Sequence, residues 1–99
     1  MYEEYQIEIP PSFVALYVDP GQQKPNAPRD VVAARYELCE DMATMLTEMA
    51  KSMLFSLGVA EHVLAKCHQG LLSDCAVVSV PEAAWVIRRL AELLDWEHP

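Results

Sequence analysis

The segment from Arg29 to Leu57 constrains this chain most, because its about thirty residues read as one helix entered after Pro28 and left at Gly58. Proline suits a helix start, and glycine is placed where a left-handed cap would stop it. A polar stripe of Glu37, Asp41, Thr44, Glu48 and Lys51 follows alternating steps of four and three. Beside it run two apolar stripes. One is methionine-rich: Leu38, Met42, Met45, Met49 and Met53. The other is small or branched: Val32, Tyr36, Cys39, Ala43, Leu46, Ala50 and Leu54. Together they are wider than one intramolecular neighbour would cover, so the surplus implies a partner.

The remainder must fit a small frame. A chain of 99 residues reads as a single domain, and folding at this size removes only about two-thirds of the chain's surface from water. Hydrophobic residues make up 53% of it while 15 acids face 7 bases, so apolar residues must gather on buried faces and acids must cover the outside. A formal charge of -8 repels phosphate backbones, which argues against direct DNA or RNA binding. The same charge suits a basic protein surface, including the groove of a nucleic-acid-binding protein whose ligand is being mimicked. The start, Met1-Tyr2-Glu3-Glu4-Tyr5, has neither the basic nor the apolar region of a secretory signal. No apolar run approaches the ~18 residues of a membrane span. Three cysteines without framework spacing fit a reducing compartment, and a soluble, cytoplasmic protein is expected.

Pro10, Pro11, Pro20, Pro25 and Pro28 prevent a long element in residues 1–28, which read as an arm. Its one ordered piece is expected at Pro11 to Tyr17, where Phe13, Leu16 and Tyr17 recur at helical spacing. The rival is a strand, from the alternation of Tyr5, Ile7 and Ile9 with Gln6 and Glu8; the short helix is favoured. A second helix is expected over residues 59–70, with Ala60, Val63, Leu64 and Cys67 inward and Gly70 ending it. Ser79-Val80-Pro81-Glu82 resembles a capping box and opens a third helix over residues 80–97. Its inward face is Ala83, Val86, Ile87, Leu90, Ala91 and Leu94. With Ile87 at the centre and about 100° per residue, Trp85 and Trp96 fall on the far side with Arg88, Arg89 and Glu92. Tryptophans there either pack under the arm or anchor a partner.

No constellation suggests chemistry. Cys67 and His68 are adjacent and point about 100° apart, and His62 stands nearly two turns from His68, so neither they nor Cys75 have metal-ligand spacing. Nothing around Ser12, Ser73, Cys39 or Cys75 forms a nucleophile signature. Glu40-Asp41 and Glu3-Glu4 are neighbours in sequence, whereas paired acid and base groups must face across a cleft. The glycines at 21, 58 and 70 build no phosphate cradle. A redox or enzymatic role for Cys67, His68 and Cys75 would show as reactive thiols.

Pro25-Asn26-Ala27-Pro28-Arg29 and the run Ala34-Arg35-Tyr36-Glu37-Leu38-Cys39-Glu40-Asp41-Met42-Ala43 resemble a family of short uncharacterised bacterial proteins, as does Ile9-Pro10-Pro11-Ser12-Phe13. Some members carry the label "ATPase with chaperone activity". The resemblance covers the first half of the chain and brings no catalytic residues. It implies a chaperone-associated or adaptor role, whereas the ATPase half of the label needs a phosphate site this sequence lacks. The reading is thus an all-α small helical bundle with a long central helix, two further helices and a proline-rich arm bearing a short helix. It needs no cofactor or metal and is expected to be a non-catalytic protein-binding module, homodimeric through Met42, Met45, Met49 and Met53. Trp85, Arg89 and Trp96 are the candidate contacts to a further protein partner. The alternative is an acidic inhibitor that mimics nucleic acid.

Overall fold

A computed structural model of the chain describes residues 8–73 and 77–96. The fold is all-α, with helices α1 (Pro11–Val14), α2 (Arg29–Leu57), α3 (Ala60–Ser73) and α4 (Val80–Leu94). Contacts divide the chain into two compact units, one up to Leu38 and one from Cys39, and α2 runs through the division.

In the first unit, the expected short helix forms as α1, prolonged by a 3-10 turn over Ala15–Tyr17. Pro11 occupies the first turn, where a missing N–H costs nothing, and the Pro10 carbonyl accepts from the N–H groups of Phe13 and Val14 at 2.9 and 3.1 Å. Phe13 is wholly buried. Its ring lies 5.7 Å from Tyr17 and meets Tyr36 of α2 edge-on, also at 5.7 Å. Of the rival strand, Tyr5 and Ile7 lie outside the described residues, and Ile9 is not in a strand. After α1, Asp19-Pro20-Gly21-Gln22 makes a turn in which the Gln22 N–H donates to the Asp19 carbonyl at 3.0 Å. Gly21 takes φ 81° there, the position at which a type II turn needs glycine. The Asn26 amide donates to the Asp19 carboxylate at 3.0 Å, and the Pro28 carbonyl accepts the first turn of α2 from Val31 and Val32.

In the second unit, the Cys39–Leu57 part of α2 packs with α3 and α4. Cys39, Ala43 and Ala50 of the small stripe are fully buried. Gly58 ends α2 as expected: φ is 75°, and its N–H donates to the Leu54 carbonyl at 2.7 Å, a single-bond left-handed cap. Gly70, expected to stop the next helix, sits inside it; α3 continues to Ser73. Interior glycine costs about 1 kcal/mol against alanine. The next turn buries Leu71, worth about 1.5–3 kcal/mol, so burial wins.

The capping box at the start of α4 is present. The Ser79 hydroxyl accepts from the Glu82 N–H at 3.2 Å, and the Glu82 carboxylate accepts from the Ser79 N–H at 2.9 Å. Ser79→Ala is expected to lower stability by about 1 kcal/mol; an unchanged urea midpoint would refute that role. At its other end α4 stops at Leu94, short of residue 97. Asp95 adopts φ 59°. Its N–H reaches the Glu92 carbonyl at 3.1 Å, and the Trp96 N–H reaches the Ala91 carbonyl at 2.8 Å, the paired bonds of a Schellman motif. No described helix is long and apolar enough to cross a membrane.

Candidate functional site

The methionine-rich stripe of α2 divides by exposure. Met42 and Met53 are half-buried, whereas Met45 is 76% and Met49 54% exposed. Four residues apart, Met45 and Met49 form a ridge on one helix face. Beside the ridge, α2 and α3 border an open groove of about 580 Å³. Leu46, Met49 and Met53 line it from α2; Lys66, Gln69, Gly70 and Ser73 line it from α3, with Cys67 and Leu71. Leu46, Met49 and Met53 recur at steps of three and four, so α2 presents one face to the groove. Gly70 faces open space: a Cβ added there would meet nothing within 4 Å.

The proposed partner contacts fare differently. Trp85 is 7% exposed, so it is a buried residue and not a surface anchor. Ala83, Val86 and Leu90 of the expected inward face are wholly buried, and the buried arc widens past Val86 through Glu82 to Trp85, about 100° from Val86. Trp96 is half-buried, and because α4 ends at Leu94 it lies past the helix, where the helical wheel no longer applies. Arg89 is engaged within its own unit. Its Nε lies 2.9 and 3.1 Å from the two Glu40 oxygens, its Nη2 donates to Glu40 at 2.9 Å, and its Nη1 donates to Glu92 at 3.0 Å. The fork ties α4 to α2, and the Glu40 hydrogen bonds above all hold the guanidinium above its ordinary range. Arg89 is a structural clip with its charge already neutralised.

Phe55 is 95% exposed, and it continues the polar stripe by one more step of four beyond Lys51. Extending that stripe to the end of the helix would have found an aromatic ring among the charges.

Burial pushes the Cys67 thiol up, away from the reactive thiolate that a redox role requires. Cys39 is buried as well, and Cys75 lies outside the described residues. Among the described residues no three His, Cys, Asp or Glu side chains are placed to hold a metal ion. No protein-family model, curated protein or solved structure matches the chain.

Proposed function

We propose that this chain is a non-catalytic protein-binding module that works as a homodimer, an adaptor or chaperone-associated accessory of the cytoplasm. The observation that carries the reading is the Met45–Met49 ridge, exposed along α2 beside an open groove. Methionine is flexible and polarizable, suited to surfaces that must fit another protein's contours, and an exposed apolar ridge gains free energy when a partner removes it from water.

Sedimentation at micromolar concentration tests the reading. The wild-type chain is expected to run as a dimer and Met45→Glu as a monomer with an unchanged helical spectrum, since Met45 supports no core. A monomeric wild-type chain would end the proposal.

A further inference from the structure

The ridge and the groove lie side by side on one face, and the charges at the two borders of that face have opposite sign. Along α2, at about 100° per residue, Asp41 and Glu48 fall on the side of Met45 away from the groove; both are exposed. Across the groove the border is Lys66, exposed and without an ion pair to any described residue. The order across the face is therefore carboxylates, methionine ridge, groove, ammonium.

We infer that the groove is filled by the Met45–Met49 ridge of a second copy of this chain, with Glu48 of each copy paired to Lys66 of the other and the two α2 helices running parallel. The inference rests on the homodimer reading above and adds the geometry. In a two-fold pair each point on one face meets the point reflected across the axis. An axis running along the groove sets ridge into groove and carboxylate border onto ammonium border, twice. An axis across the groove would set acid on acid. Charge thus selects the first arrangement, which keeps the helix directions parallel. Met49 and Lys66 line the same opening, and Glu48 is the neighbour of Met49, so the two charges lie within the length of one groove. Within one copy Glu48 already touches Lys51 at 3.4 Å, but its side chain is 84% exposed. An exposed pair of that kind is weak and leaves Glu48 able to bridge.

Charge reversal in the full chain tests this. Sedimentation velocity is expected to show that Glu48→Lys and Lys66→Glu each weaken dimerisation by at least about tenfold, because each sets like charges together twice. An equimolar mixture of the two variants is expected to recover a dimer, since both cross-copy pairs in the mixed species are again of opposite sign. A wild-type dimer that neither reversal weakens, or reversals the mixture does not rescue, overturns the inference while the homodimer reading stands. A wild-type chain that is monomeric throughout the micromolar range overturns both.

Discussion

Phe13→Ala is expected to lower the stability of the chain by about 3–5 kcal/mol, the range for removing a fully buried aromatic ring. Phe13 is wholly buried although it belongs to a helix of four residues. Such a helix cannot persist by itself, because nucleation is unfavourable and so few residues form almost no internal hydrogen bonds. What holds α1 is therefore the ring, edge-on against Tyr36 of α2 and tilted against Tyr17. Contacts of this kind add about 0.5–1.5 kcal/mol beyond burial. Single domains are stable by only about 5–15 kcal/mol, so the substitution removes a large share of the total. Phe13→Leu, which keeps apolar volume and loses the ring contacts, is expected to cost clearly less. Urea denaturation of the two variants checks the ordering; a loss below about 1 kcal/mol for Phe13→Ala would show that the ring does not organise the first unit.

The elements that could be read from sequence were those set by local rules. Gly58, the Ser79–Glu82 box and the proline-free run of α2 each act within one or two helical turns, so their neighbours in sequence suffice to interpret them. Gly70 failed as a stop signal because the outcome depended on burying Leu71, a tertiary gain that outweighs a local cost. The end of α4 was misplaced because Asp95, not glycine, takes the left-handed cap. Asp tolerates that region without advertising it. At the candidate site, periodicity located the methionine stripe, but not which members are exposed. It also gave no hint that Glu40 would claim Arg89, since the two are forty-nine residues apart.

Trp85→Ala is expected to cost a further about 3–5 kcal/mol on its own, lowering the melting temperature by more than ~10 °C. The ground is burial: at 7% exposure the indole has left water almost completely, and its truncation leaves a cavity that a packed helix face collapses into only in part. Had Trp85 been a surface anchor, the same substitution would spare stability and abolish partner binding. The two outcomes are opposite, so one thermal melt decides between them. Fluorescence gives an independent check, since Trp85 is expected to resist acrylamide quenching more than the half-buried Trp96, with Trp96→Ala isolating the Trp85 signal. A melt shifted by less than ~3 °C would return Trp85 to the surface. With the expected large shift, loss of binding in Trp85→Ala would report unfolding, and the informative surface substitutions become Met45→Glu, Glu48→Lys and Phe55→Ser, at side chains that give up little or no packing.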